Sequence, residues 1–207
     1  MRLAEDPGVR IAIVTGRQLS DIRSRAALPG AAYIGNYGLE IAQLGRRWVH
    51  PGAAAAKGPI RAVSRALKAA LRGFPGTLFE DKTYSLNVHY RRARSPCAKE
   101  RLRRRILPFL QAHPGLALRH SRKVWEILPN VRWGKGEAIL RLARSMGAGT
   151  GIVFVGDDVS DEQGFKALGR RAQTYRVGPG RSVARFRLRD RGAVLGLLRR
   201  LTLPRAA

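Results

Sequence analysis

The segment Gly156-Asp157-Asp158-Val159-Ser160-Asp161-Glu162 directly follows the apolar run Ile152 to Val155, and it is the stretch of this chain best suited to chemistry. Val153, Phe154 and Val155 read as a strand buried on both faces. Carboxylates at its C-terminal end would project into the crevice where open α/β sheets bind ligands. Asp157 and Asp161 can share a hard divalent cation, and Mg2+ suits them because it prefers oxygen ligands and keeps several waters. Asp and Ser are also good helix caps, so an acidic loop capping a helix from about Asp161 to Leu168 is the competing reading.

Two further residues extend the pattern. Val9 to Val14 is an apolar strand broken only by Arg10, and it runs into Thr15-Gly16-Arg17 and an amphipathic stretch to about Ala27. Backbone NH groups at such a helix start can hold a phosphate, helped by a hydroxyl and a flexible glycine, so Thr15 either meets that anion or caps the helix. Lys135, in Gly134-Lys135-Gly136, is either an exposed helix start or a cation placed to neutralise a transferring phosphoryl group. Thr15, Lys135 and the acidic cluster together describe a phosphate-handling site.

The elements that must position these residues follow from periodicity. Ala32 to Ile34 reads as a short strand ending in the turn Gly35-Asn36-Tyr37-Gly38, with Leu39-Glu40-Ile41 beyond it. An Ala-rich helix from about Pro59 to Leu71 stops at Gly73 to Gly76, and strands follow at Thr77 to Glu80 and Tyr84 to Tyr90. A basic helix from about Ala98 to Ala112 and a strand pair, Leu116 to Arg119 and Lys123 to Leu128, come next. Residues 47–122 are therefore expected to form an inserted α+β domain, with 1–46 and 123–207 as the core. In the core the remaining elements alternate: a helix from about Lys135 to Met146, the strand Ile152 to Val155, a helix to Leu168, a strand around Thr174 to Val177, and a helix from about Arg191 to Leu201. Strands separated by helices imply a parallel, right-handed, doubly wound sheet.

Composition sets the outer bounds. No apolar run approaches the roughly 20 residues that span a bilayer, and a cytoplasmic protein with no membrane partner is expected. The lone Cys97 excludes an internal disulfide framework and a cysteine-based zinc site. A net charge of +26 raises nucleic acid as a partner, yet 33 of the 40 basic residues are Arg, spread with Ala and Gly through nearly every segment. Even the densest cluster, Arg101 to Arg105, reads first as the solvated face of a helix buried through Ile106, Phe109 and Leu110.

The chain resembles the trehalose-6-phosphate phosphatases of the haloacid dehalogenase superfamily over nearly its whole length. Val14-Thr15-Gly16-Arg17 is similar to the second superfamily motif, Lys135-Gly136 to the third, and Gly156 to Glu162 to the fourth. Gly35 to Glu40, Glu80-Asp81-Lys82, His89-Tyr90-Arg91 and Glu126 to Pro129 look like signatures of the trehalose phosphatases themselves. The resemblance implies a haloacid-dehalogenase-like α/β core with an inserted mobile cap, Mg2+ as cofactor and trehalose 6-phosphate as substrate. It implies catalytic roles for Thr15 and Lys135, metal ligation by Asp157 and Asp161, and a supporting role for Asp158. Arg17, Asn36, Glu40, Glu80, Lys82 and Glu126 fall where substrate contacts are implied, since carboxylates and ammonium groups hydrogen-bond polyols strongly.

One departure matters. The family attacks phosphorus with the first aspartate of an Asp-x-Asp-Gly-Thr segment on the first strand, with the second as general acid and base. This sequence contains no such segment. Asp6 cannot stand in, because Asp6-Pro7-Gly8 reads as a turn at the wrong end of the following strand. The expectation is an N-terminally truncated phosphatase, its first core strand missing and the strands beside it left with free edges, with little activity unless an upstream fragment supplies that strand. Tyr37, where the family usually has His, and Ser160, where it has Thr, are smaller departures. The competing functions are another sugar phosphatase of the superfamily, or a catalytically dead protein that holds RNA or another polyanion.

Overall fold

The computed structural model describes residues 3, 5–147 and 149–201, so the segment about Met1 lies outside the described residues. Two compact units emerge. Val49–Arg132 form one, and the segments on either side form the other. The insert therefore ends ten residues later than the sequence suggests. The strand Val124–Pro129 explains the difference, since it hydrogen-bonds to strands of the insert on both sides.

The core unit opens with β1 (Ala12–Val14), α1 (Leu19–Arg25) and β2 (Ala32–Gly35), a strand-helix-strand unit whose strands pair in parallel with Val14 opposite Ile34. An antiparallel extension, β3 (Glu40–Gln43) and β4 (Arg46–Val49), completes a sheet of order β1-β2-β3-β4. The sequence signals neither of these last two strands clearly. A second parallel sheet, order β11-β10-β9, is built from β9 (Val153–Gly156), β10 (Gln173–Val177) and β11 (Phe186–Leu188). Helices α5 (Lys135–Ser145), α6 (Val159–Leu168) and α7 (Arg191–Arg200) complete the unit. A single apolar cluster joins the two sheets, with Ile34 and Ile41 from one, Phe154 from the other, and Ile139, Leu142, Phe165 and Leu168 from the helices. Burying each such side chain contributes about 1.5–3 kcal/mol.

The parallel sheet is thus in two pieces. Among the described residues, β1 and β9 each end a sheet and hydrogen-bond to a strand on one side only. On β9, Val153 remains 38% exposed, unusual for an apolar residue of a parallel strand.

The inserted unit contains α2 (Pro51–Ala55), α3 (Lys57–Ala70), β5 (Leu78–Asp81), β6 (Leu86–His89), α4 (Ala98–Gln111), β7 (Leu116–Ser121) and β8 (Val124–Pro129). Its antiparallel sheet runs β5-β6-β8-β7. Alternation sends Leu86, Val88, Trp125 and Ile127 to one face, where they pack against Ile60, Val63 and Leu67 of α3 and Leu102 and Ile106 of α4. The basic residues of α4 take the other side of that helix: Arg103 and Arg104 pair with Glu100, and Arg101 lies over Phe74. Among the described residues no helix is long and apolar enough to cross a membrane.

Candidate active site

Lys135 begins α5 and is buried, only 6% exposed. Its Nζ donates to Ser160 Oγ and to Asp161 Oδ1, both at 2.7 Å. The other oxygen of Asp161 accepts from the backbone NH of Asp157 at 3.0 Å and of Asp158 at 2.9 Å. Asp158 is the N-cap of α6, its side chain accepting from the NH of Val159, and Asp161 closes a capping box with it. Gly156 is required beside this pair, since a Cβ there would lie 2.5 Å from Asp161 Cγ.

The two readings of the acidic loop therefore divide between its residues. Asp158 and Asp161 perform the capping role, and both oxygens of Asp161 are occupied by Lys135 and the loop backbone. Asp161, expected as a metal ligand beside Asp157, fixes Lys135 through its Oδ1. Asp157 is exposed, and its carboxylate has no hydrogen-bond partner among the described residues.

Thr15 follows β1, and its Oγ1 accepts from the NH of Arg17 at 3.1 Å, a local turn rather than a cap on α1. Arg17 points to solvent and pairs with Asp21, and α1 starts only at Leu19. The Asn36–Gly38 turn packs against this segment. Tyr37 NH donates to Thr15 O at 3.1 Å, Asn36 NH donates to Arg17 O at 2.6 Å, and a Cβ on Gly16 would meet the Tyr37 ring at 2.5 Å. Asn36 and Tyr37 both hold left-handed backbone, φ 51° and 61°, which for tyrosine stores strain that only a well-packed surround maintains. The same turn abuts the start of α5, where a Cβ on Gly38 would strike Gly134 O. A continuous chain of contacts thus links Thr15, the Asn36–Gly38 turn, Lys135 and the acidic loop.

Glu40 is 1% exposed and accepts from Arg47 at 2.6 Å and from Asn36 Nδ2 at 3.3 Å. Its environment is that of a residue holding the turn. Arg47 as its partner was not legible in the sequence, because no strand signal marks β4.

In the inserted unit the implied substrate residues lie on the sheet face opposite the apolar one. Glu80, Asn87, Glu126 and Arg119 face one another in register across β5, β6, β8 and β7. Glu126 is buried and accepts from Arg119 at 2.7 Å. Lys82, also buried, lies 3.5 Å from Glu80, and with the Asn87 amide oxygen turned toward it donates at 2.7 Å. The His89 hydrogen bond to Glu80, at 3.2 Å, and then the charge of Lys82 hold the Glu80 carboxyl below its ordinary range against the opposing effect of burial. Asn87 and Arg119 were missed at the sequence level, although strand alternation places both on the face of Glu80 and Glu126.

A loosely wound α/β core with an α+β insert, carrying a Thr, a Lys and an acidic loop at its strand ends and helix starts, defines a phosphatase fold of the haloacid dehalogenase type. Comparison makes this specific. The trehalose-phosphatase family model matches residues 1–187, and the chain belongs to that family. It is 34% identical over 166 residues to the trehalose-phosphate phosphatase of Mycobacterium tuberculosis, covering 77% of this chain and 41% of that protein. It is 32% identical over 221 residues to a trehalose 6-phosphate phosphatase of Zea mays, covering 95% and 60%. The chain therefore spans about half the length of these curated relatives. Among solved structures it resembles a trehalose-6-phosphate phosphatase related protein with a TM-score of 0.82 at 24% identity, covering 97% of this chain and 83% of that one. At that identity the likeness is one of fold.

Proposed function

We propose that the chain is the core and cap of a Mg2+-dependent phosphatase that acts on trehalose 6-phosphate in trehalose biosynthesis. The observation that carries this reading is Lys135 locked by Ser160 and Asp161 next to the open carboxylate of Asp157, in a member of the trehalose-phosphatase family. A buried ammonium held in one position stabilises charge on a phosphoryl group without reorganising during the reaction. Thr15 would hold a phosphate oxygen, its hydroxyl still free to donate while it accepts from Arg17 NH. Glu80, Lys82 and Glu126, with Asn87 beside them, would hydrogen-bond sugar hydroxyls.

The oxygen donors of the acidic loop fit a hard cation, but sparingly. No group of three or more His, Cys, Asp or Glu converges among the described residues, so Asp157 would bind Mg2+ with water filling most of its shell. Bound there, Mg2+ would polarise the phosphoryl oxygens. The Asp-x-Asp-Gly-Thr segment is not in these 207 residues, so by themselves they are expected to turn over little substrate. A polypeptide supplying that segment as a parallel strand would have β1 and β9 to pair with, each bonded on one side only among the described residues. A cytoplasmic location accords with the chemistry.

Calorimetric titration with trehalose 6-phosphate tests the reading. Trehalose 6-phosphate should bind more tightly than trehalose, and Lys135→Ala should remove most of the difference. Equal or tighter binding of sucrose 6-phosphate or glucose 6-phosphate would overturn it in favour of another sugar phosphatase.

A further inference from the structure

The core unit carries a concavity lined by none of Thr15, Lys135 and Asp157. It is an open groove of about 1070 Å³ between the β3–β4 hairpin and one stripe of α5. Arg46 and Trp48 line it from the hairpin, Leu140, Arg141 and Arg144 from the helix, and Trp133 from the segment leading into α5. Positions 137, 140, 141 and 144 recur at helical spacing, so a single face of α5 is committed to the groove.

Its electrostatics are one-sided. Arg47 is neutralised by buried Glu40, but Arg46, Arg141 and Arg144 have no carboxylate partner among the described residues. Glu137 is the one acid in the lining. Three uncompensated guanidiniums therefore face a single carboxylate, and the complementary ligand is anionic. The Arg141 guanidinium carbon lies 4.2 Å from the centroid of Trp48, so its donors are held on an aromatic surface rather than left mobile. Guanidinium forks on a fixed platform match the paired oxygens of phosphate.

The groove also has an apolar and aromatic side. Trp48 and Trp133 meet with ring centroids 5.3 Å apart, and Trp133 is oriented by its Nε1 donating to Gly38 O at 2.8 Å. At the hairpin tip Leu44 is 83% exposed, with left-handed φ of 47° and 74° at Leu44 and Gly45. Such a turn displays an apolar side chain to water although it could carry any polar residue. The volume lies just above the range of about 300–1,000 Å³ usual for small-ligand clefts, as an open groove would.

The geometry points to this groove as a second anion site, for a ligand of the nucleoside di- or triphosphate class. Its phosphates pair with Arg46, Arg141 and Arg144, and its base packs on the Trp133, Leu140 and Leu44 side. The assignment does not rest on the phosphatase reading.

Two of the three tryptophans of the chain line the groove, so their fluorescence reports occupancy. The test is titration of the whole chain with ATP in EDTA at about 0.15 M salt, where diffuse surface attraction is screened. Saturable quenching is expected, with affinity falling about ten-fold or more in Arg141→Ala/Arg144→Ala and less than about two-fold in Arg103→Ala/Arg104→Ala. All four side chains are exposed, and circular dichroism verifies folding. Tripolyphosphate should bind at least about ten-fold more weakly than ATP. Equal losses in the two double variants, or equal affinity for tripolyphosphate, would overturn the assignment. Tighter binding of a short oligouridine, equally dependent on Arg141 and Arg144, would overturn it in favour of a nucleic-acid surface. The failure of trehalose 6-phosphate to bind would leave these results untouched.

Discussion

Asp161→Ala probes the lock at the centre of the site. The substitution removes acceptors from Lys135 Nζ at 2.7 Å and from the NH groups of Asp157 and Asp158 at 3.0 and 2.9 Å. The two NH groups belong to exposed residues, so water can replace the lost carboxylate there, at a cost of about 1 kcal/mol or less each. Lys135 is different. Its side chain is 6% exposed, and without Asp161 its ammonium keeps only the neutral Ser160 hydroxyl. Removing one member of a buried pair costs about 3–5 kcal/mol, because the other charge stays desolvated. A loss of that size lowers the melting temperature by about 6–20 °C for a chain of this length. Lys135→Met added to Asp161→Ala should restore about 2 kcal/mol or more, since no buried charge remains. Urea unfolding in a Trp125→Phe background measures both, because Trp48 and Trp133 then report the core unit alone. A cost below about 1 kcal/mol for Asp161→Ala, or a double variant no more stable than the single, would refute the reasoning.

Other perturbations follow from the same geometry. Asp157→Asn should change stability by less than about 0.5 kcal/mol while weakening Mg2+ binding, which calorimetry with the metal alone can read. Gly156→Ala should destabilise by about 1–3 kcal/mol, because its Cβ would lie 2.5 Å from Asp161 Cγ; thermal melts measure this. The folded Glu80 carboxyl is depressed, so its stabilising effect is present above the ordinary glutamate range and is lost as pH falls through the folded value. Glu80→Gln should therefore flatten the acid limb of stability below about pH 4 and leave the neutral region's slope unchanged.

Legibility in the sequence followed locality. The acidic loop, Thr15-Gly16 and Lys135 stand out because each is a short motif beside a strong strand or helix pattern, and β1, β2, β9 and β10 lie within a few residues of their expected places. What the sequence hides is made between segments. Lys135 and Asp161 are 26 residues apart, and nothing in either motif says that the aspartate is consumed by the lysine. Arg47 and Arg119, which hold Glu40 and Glu126, sit on strands whose facing can be judged only once pairing is known. The end of the insert was misplaced for the same reason, since β8 belongs to the sheet that contains β6 and β7. Strand β4, with the sequence Arg-Arg-Trp-Val, gives no alternation to read.

Phosphate release from trehalose 6-phosphate in the presence of Mg2+, by the purified 207-residue chain, tests the central claim most directly. Little or no turnover is expected from the chain alone, together with tight and Lys135-dependent binding of the substrate. Rapid, Mg2+-dependent release that Asp157→Asn abolishes would contradict it, by showing that these residues hold a complete catalytic set without the Asp-x-Asp strand.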